Sequence, residues 1–116
     1  MKQKNYPLYE TTVFENFRVM TENAATKFGE DPALIFRLNP HDAEPVTKNF
    51  IELRDDCRNF GTGLVACGAR EKHCAIIGGA SYGWVISYFA LMSIGAVTVP
   101  IDKELPAEEI ADILKV

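Results

Sequence analysis

The sequence has few of the residues that build metal and redox sites. Its two histidines, His41 and His73, have no second histidine or thiol at metal-ligand spacing. Its three cysteines contain no Cys-x-x-Cys pair and cannot all pair with one another. These are Cys57, Cys67 and Cys74. The sequence therefore predicts surface or turn histidines, small core cysteines and a reducing compartment, for which the cytoplasm is the default.

The sequence also lacks an excess of positive charge. It has 12 lysines and arginines against 16 acidic residues, which gives a net charge of -4. This balance gives no electrostatic reason to bind a phosphate backbone or an anionic membrane, so we expect no nucleic-acid partner. The first ten residues contain no apolar run of the secretory type. With 116 residues, 47% of them hydrophobic, the chain has the length of one domain with a modest core.

Charge is missing altogether between Cys74 and Ile101. This span is long enough to cross a bilayer, but five glycines and prolines divide it into shorter pieces of different periodicity. We therefore predict a buried strand, helix and strand rather than a transmembrane segment, joined as a parallel crossover. The helix, from Tyr82 to Ile94, is apolar nearly all round, which indicates burial on more than one side. Pro100 is expected to end the second strand.

The remaining periodicities predict three further helices and a hairpin. The first helix is predicted over Val13 to Phe28, with Gly29 as its cap. Asn49 and Glu52 have the spacing of a capping box at the start of the second helix. Gly61 and Gly63 lie inside that helix, where each costs on the order of 1 kcal/mol, so we expect close packing of another backbone there. The hairpin strands are predicted at residues 33–36 and 46–48, and the last helix is predicted to begin with Pro106 at its first position.

Two groups of residues are candidates for ligand binding. Gly78 and Gly83 lie between a strand and a helix, and Asp102 follows the next strand, as in a dinucleotide fingerprint that has Ala80 in place of one glycine. The alternative is that these glycines form an ordinary turn between a strand and a helix and bind no ligand. Aromatic residues of the apolar helix form either a ligand pocket or part of the core, and the core is favoured. They are Trp84, Tyr88 and Phe89.

Four stretches resemble the adenylate-forming ligases, the superfamily of AMP-dependent synthetases and acyl-CoA ligases. Residues 91–102, Leu-Met-Ser-Ile-Gly-Ala-Val-Thr-Val-Pro-Ile-Asp, are similar to the Gly-Ala then Val-Pro-Leu/Ile-Asp motif of the family. Residues 46–53 resemble its early strand-into-helix motif, residues 74–78 its next strand and residues 81–85 the start of its following helix. Residues 6–10 and 103–110 are similar to bacterial long-chain fatty acid CoA ligases.

The resemblance implies an α/β fold and a two-step reaction. A carboxylate attacks ATP to give an acyl-adenylate and pyrophosphate, and the thiol of CoA then displaces AMP, with magnesium accompanying ATP. The resemblance covers about the first fifth of such an enzyme. It places the phosphate loop, the adenine and ribose contacts and the catalytic lysine downstream, so no catalytic, cofactor-binding or metal-binding residue is assigned here and Asp102 is interpreted as structural.

The predicted architecture is thus an incomplete N-terminal portion, residues 1–116, of the large AMP-binding domain. The helix after Pro106 reaches the end of the sequence without a cap, which suggests truncation. We expect the chain alone to be inactive and to self-associate through apolar surface that the rest of the ligase would cover. Two alternatives remain open: a small Rossmann-like nucleotide-binding module, which rests on Gly78, Gly83 and Asp102, and a non-catalytic interaction domain, which rests on the apolar helix.

Overall fold

A computed structural model describes residues 10–115 as an α/β arrangement of four helices and four strands. Part of the similarity to fatty acid CoA ligases, at Tyr6–Tyr9, lies outside these residues. The strands form two separate pairs, one antiparallel and one parallel. The elements in chain order are α1 (Phe17–Phe28), β1 (Pro32–Phe36), β2 (Val46–Asn49), α2 (Phe50–Ala66), β3 (His73–Ile77), α3 (Tyr82–Ser93), β4 (Val97–Ile101) and α4 (Ala107–Leu114).

Helix α1 begins four residues later than predicted. Asn16 has an extended backbone, and its side-chain oxygen accepts a hydrogen bond from the Val19 amide at 3.0 Å, which caps the helix there. Val13 therefore lies outside the helix and is 92% exposed, so its place in the apolar stripe was a wrong prediction. Gly29 ends the helix with a φ of +53°, a region that favours glycine, as predicted.

The predicted hairpin and capping box are confirmed. Strands β1 and β2 pair antiparallel, with Ile35 opposite Thr47. Immediately after β2, the Asn49 side chain accepts from the Glu52 amide at 2.8 Å and the Glu52 carboxylate accepts from the Asn49 amide at 3.0 Å. Because both free amides at the helix start are satisfied, α2 begins directly where the strand ends.

The uncharged segment forms the predicted parallel unit, with α3 between β3 and β4. Cys74 pairs with Thr98 and Ile77 with Ile101. Pro100 was expected to end the second strand, but β4 continues through it to Ile101. Within the described residues β4 pairs only with β3, so its other edge makes no ladder hydrogen bonds. Proline has no amide hydrogen, and none is needed on that unpaired edge. Gly95 follows α3 with a φ of +79°, which turns the chain into β4.

Helix α3 lies at the centre of the packing and contacts α1, α2, β3 and β4. Two of its buried side chains, Ile86 and Leu91, belong to separate apolar clusters, one with α2 and one with the parallel strands. The first contains Leu53, Cys57 and Ile86, and the second Ile76, Leu91 and Ala96. Burial on more than one side is thus confirmed, and the helices of residues 10–115 include none that is both long and apolar enough to cross a membrane.

The glycines of α2 have different surroundings. A Cβ added at Gly61 would lie 3.2 Å from Cγ2 of Ile94 and 3.8 Å from the carbonyl oxygen of Ala90 in α3, so the predicted close packing of another backbone is confirmed there. At Gly63 an added Cβ would have no neighbour within 4 Å, so the same prediction is wrong for that residue. At the last helix, Pro106 is the cap of α4 rather than its first helical residue, and Glu108 and Glu109 lie in the first turn.

Candidate functional site

The carboxyl edge of the parallel pair brings two of the predicted site residues together. Gly78 follows β3 and Asp102 follows β4, and the two strands point the same way, so both residues emerge at one edge. They line a shallow depression of about 340 Å³ together with Ala80, Trp84 and Ile101. Ligands of open α/β sheets bind at such edges. Gly83, in the first turn of α3, does not line this depression.

The glycines of this edge do not have the surroundings that a dinucleotide loop requires. None of Gly78, Gly79 and Gly83 has a positive φ, and a Cβ added to any of them would have no neighbour closer than 3.9 Å. A side chain would therefore fit at each position, whereas the fingerprint depends on close approach of bare backbone. The Asp102 carboxylate already accepts a hydrogen bond from the Glu104 amide at 2.9 Å. These observations favour the alternative, an ordinary turn between β3 and α3 that binds no dinucleotide.

A serine motif in the same turn was missed at the level of sequence. Residues 79–83 read Gly-Ala-Ser-Tyr-Gly and match the Gly-x-Ser-x-Gly pattern of a nucleophile elbow between strand and helix. The backbone of Ser81 is extended, at φ -154° and ψ 165°, rather than strained. Its hydroxyl accepts from the Trp84 amide at 3.1 Å, and no histidine of residues 10–115 hydrogen-bonds to it. Ser81 is a helix cap, the role that its position before α3 predicts.

The aromatic residues of α3 pack within the fold. The rings of Trp84 and Tyr88 stack at a centroid distance of 5.3 Å, and Phe89 meets Phe17 of α1 edge-on at 5.2 Å. Phe89 also packs against the Leu53 cluster, while Trp84 and Tyr88 pack against the Leu91 cluster. The structure therefore packs these three rings against the core, the role favoured from the sequence, although Trp84 also lines the depression at the carboxyl edge.

A polar cluster at the start of α3 joins three elements. The Tyr82 hydroxyl donates to Oδ2 of Asp56 at 2.5 Å, and Nζ of Lys48 lies 3.1 Å from the same oxygen. Nζ of Lys48 also lies 5.6 Å from the centre of the Tyr82 ring, which stacks on Phe36 at 4.8 Å. The cluster thus fastens α3 to both β2 and α2.

The electrostatics of this cluster suit a structural role. The hydrogen bond from Tyr82, and then Lys48, lower the pKa of Asp56, with burial acting in the opposite direction. Burial and the Asp56 carboxylate raise the pKa of Tyr82, so its hydroxyl stays protonated and remains a donor. Neither group is available as an acid or base near neutral pH. Nothing in the sequence alone indicates a role for Tyr82, although Glu52 and Asp56, four residues apart in α2, share one face of that helix.

The histidines and cysteines do not come together. His41 lies in the hairpin loop and His73 begins β3, and residues 10–115 contain no group of three side chains able to hold a metal ion. Cys57 is buried, Cys67 exposed and Cys74 half-buried, all as free thiols. The prediction of small core cysteines is therefore wrong for Cys67. Burial, followed by the Asp56 charge, raises the pKa of Cys57 to about 11, which makes it unreactive at neutral pH.

Comparison with protein families decides what this scaffold is. The family model described as AMP-binding enzyme matches residues 21–116. The chain belongs to this adenylate-forming family. A comparison with curated proteins gave no match. The β3–α3–β4 unit, which contains the Gly-Ala and Val-Pro-Ile-Asp motif, thus lies in an adenylate-forming scaffold.

Solved structures show the same fold. A long-chain-fatty-acid-CoA ligase from Archaeoglobus fulgidus has 27% identity and a TM-score of 0.75 over 92% of this chain and 22% of its own. NpsA of Klebsiella oxytoca, in complex with 3-hydroxyanthranilyl-AMSN, has 25% identity and a TM-score of 0.74 over 89% of this chain and 20% of its own. The N-terminal subdomain of NpsA, in the same kind of complex, matches at 23% identity and a TM-score of 0.73, over 88% and 25%. This chain therefore spans about a quarter or less of each structure and matches the N-terminal subdomain fold.

Proposed function

We propose that the chain is part of an ATP-dependent ligase that converts a fatty acid and CoA to acyl-CoA, AMP and pyrophosphate. In that reaction a carboxylate oxygen attacks the α-phosphorus of ATP and pyrophosphate leaves. The CoA thiol then attacks the acyl carbonyl, loses its proton and displaces AMP. ATP, magnesium and CoA are the cofactors and co-substrate of the whole enzyme, and the single supporting observation is the 27% identity to a fatty-acid-CoA ligase over 92% of the chain.

The residues described here contribute a scaffold to this reaction. Leu91 and Ala96 are 4% and 7% exposed and hold the parallel pair against α3. The carboxyl edge of the pair, at Gly78 and Asp102, stays open to solvent. We infer that these 116 residues position an edge of the nucleotide domain and carry no reacting group, so the chain alone is inactive.

The test is acid-dependent exchange of labelled pyrophosphate into ATP by the complete gene product that contains this chain. The proposal predicts exchange with long-chain fatty acids and none with aryl acids. The structure of NpsA with 3-hydroxyanthranilyl-AMSN favours a second candidate, an enzyme that activates an aryl acid. Exchange with 3-hydroxyanthranilate and not with fatty acids would establish that second candidate and overturn the first.

Two substitutions at Ser81 distinguish a structural role of this residue from a catalytic one. Ser81→Ala removes the cap of α3 and is expected to cost about 1 kcal/mol of stability. Ser81→Asp keeps a capping oxygen and should retain stability. Because Ser81 carries no reaction step here, both variants should keep the exchange activity at a temperature where both are folded. Loss of activity in both variants while folded would show that the hydroxyl is a catalytic group, because its removal is the change that they share.

A further inference from the structure

A surface cavity between α1, α2 and the end of α3 collects four of the five arginines of the chain. The cavity measures about 360 Å³ and is lined by Arg18, Arg54, Arg58 and Arg70. The fifth arginine, Arg37, lies in the hairpin. Because the whole chain has a net charge of -4, this cavity is a local reversal of sign.

Acidic residues compensate only part of this charge. Arg54 pairs with Asp55 at 2.8 Å, and Arg58 pairs with Glu22. Within residues 10–115, no carboxylate lies at ion-pairing distance from Arg18 or Arg70. Glu22 is the single carboxylate among the lining residues, and Asp55 adds a second negative charge beside Arg54, so four guanidinium charges are met by two carboxylates.

The paired arginines keep donors for a ligand. Arg54 uses Nε and one terminal nitrogen on a single oxygen of Asp55, and Arg58 does the same with Glu22. A guanidinium has five N–H donors, so the second terminal nitrogen of each remains. In the described part of the chain those two nitrogens make no hydrogen bond. All four arginines can therefore donate toward an anion.

Ser93, at the end of α3, carries a hydroxyl without a partner next to this cavity. Its Oγ is shielded from solvent, has no hydrogen-bond partner in the described structure, and belongs to a residue that lines the same cavity. The two threonine hydroxyls nearby already donate to helix carbonyls, Thr21 to Arg18 at 2.9 Å and Thr62 to Arg58 at 2.8 Å. A buried hydroxyl without a partner is costly, so Ser93 leaves one unused donor in the wall of the cavity.

We propose that this cavity binds the phosphate chain of a di- or triphosphate anion, either free pyrophosphate or the phosphates of a nucleotide. Guanidinium groups bind phosphate oxygens in a planar, bidentate manner, and four arginines against two carboxylates leave two positive charges for a polyanion. The volume is at the small end of ligand sites, which suits a phosphate chain whose nucleoside stays outside. The site shares no lining residue with the edge at Gly78 and Asp102, and it does not depend on the proposed ligase activity.

Protection of individual arginines from phenylglyoxal tests the proposal on the complete gene product. The reagent modifies guanidinium groups, and peptide mass spectrometry reports each arginine separately, so a second nucleotide site elsewhere does not interfere. Pyrophosphate at constant ionic strength should slow the modification of the exposed Arg18 and Arg70 by at least about fivefold. Arg37, also exposed, is the internal control and should not change. Unchanged rates at Arg18 and Arg70, or equal slowing at Arg37, would overturn the proposal.

Further ligands distinguish the sources of the anion. Protection by both pyrophosphate and ATP would identify a bound phosphate chain, and protection by pyrophosphate alone would identify the free anion. Both results support the proposal. Equal protection by acetate at the same ionic strength would contradict it, because a single carboxylate would then bind as well as a polyphosphate.

Variants test whether the arginines form one site. Arg70→Gln should remove the protection of Arg18 by pyrophosphate, and Arg70→Lys should restore it partly, because lysine keeps the charge but not the planar fork. Arg37→Gln is the matched control and should leave the protection intact. Full protection of Arg18 in the Arg70→Gln protein would contradict a shared site. Because Arg70 forms no ion pair within residues 10–115, the Arg70→Gln protein should remain folded, and circular dichroism checks this.

Discussion

The two glycines inside α2 provide a matched pair that tests how closely α2 and α3 pack. A Cβ at Gly61 meets Ile94 Cγ2 at 3.2 Å and the Ala90 carbonyl oxygen at 3.8 Å, whereas one at Gly63 meets nothing within 4 Å. Replacing a helical glycine removes a penalty of about 1 kcal/mol. Because leucine is a slightly weaker helix former than alanine, Gly63→Leu should raise the free energy of unfolding by a little less, about 0.5–0.8 kcal/mol. Gly61→Leu must displace Ile94 and Ala90, and overpacking of this kind costs about 1–3 kcal/mol.

The expected difference between the two leucine variants is therefore about 2 kcal/mol in the free energy of unfolding. Urea denaturation followed by circular dichroism measures it, provided that the slopes are the same for both proteins. The alanine variants serve as the finer control, since Gly63→Ala should stabilise fully and Gly61→Ala less, because Ile94 has to shift by a few tenths of an ångström. Equal stability of Gly61→Leu and Gly63→Leu would refute the close packing of α2 on α3.

Three further predictions concern the polar cluster, the thiols and the core. Tyr82→Phe removes the main cause of the lowered pKa of Asp56 and should cost about 1–2 kcal/mol of stability above pH 3.8. Because the folded-state pKa of Asp56 is lowered, the stabilisation by this hydrogen bond is complete above pH 3.8 and is lost as the pH falls through the lowered pKa. A cost that stays constant in acid would contradict this prediction. A thiol reagent at neutral pH should modify Cys67 rapidly and Cys57 only on unfolding, and mass spectrometry would detect the reverse order if the assignment is wrong. Leu91→Ala should destabilise by about 2–5 kcal/mol, and a cost below 1 kcal/mol in thermal unfolding would contradict its place in the core.

The parallel unit was predictable because each of its signals is local. An uncharged run, a glycine after the helix and β-branched residues in the strands all act within a few positions, and the structure confirms them between His73 and Ile101. The capping box at Asn49 was predictable for the same reason. Family motifs in the same segment then led from fold to family.

Element ends and long-range contacts were less predictable. Val13 continues the apolar stripe of α1, but the side chain of Asn16 offers a cap three residues later and the helix begins there. Pro100 lies in β4 because its missing amide is on the edge away from β3, which periodicity cannot reveal. Tyr82 reaches Asp56 across 26 residues of sequence only because α2 and α3 pack together. The arginine cavity likewise depends on three elements meeting.

The most direct test of the central claim is the product that the complete gene product makes from a long-chain fatty acid, ATP, magnesium and CoA. We expect acyl-CoA by mass spectrometry, with one AMP and one pyrophosphate formed for each thioester. The 116-residue chain on its own should give none of these products. Formation of an adenylate from aryl acids alone, with no fatty acyl-CoA, would rule out the fatty acid CoA ligase.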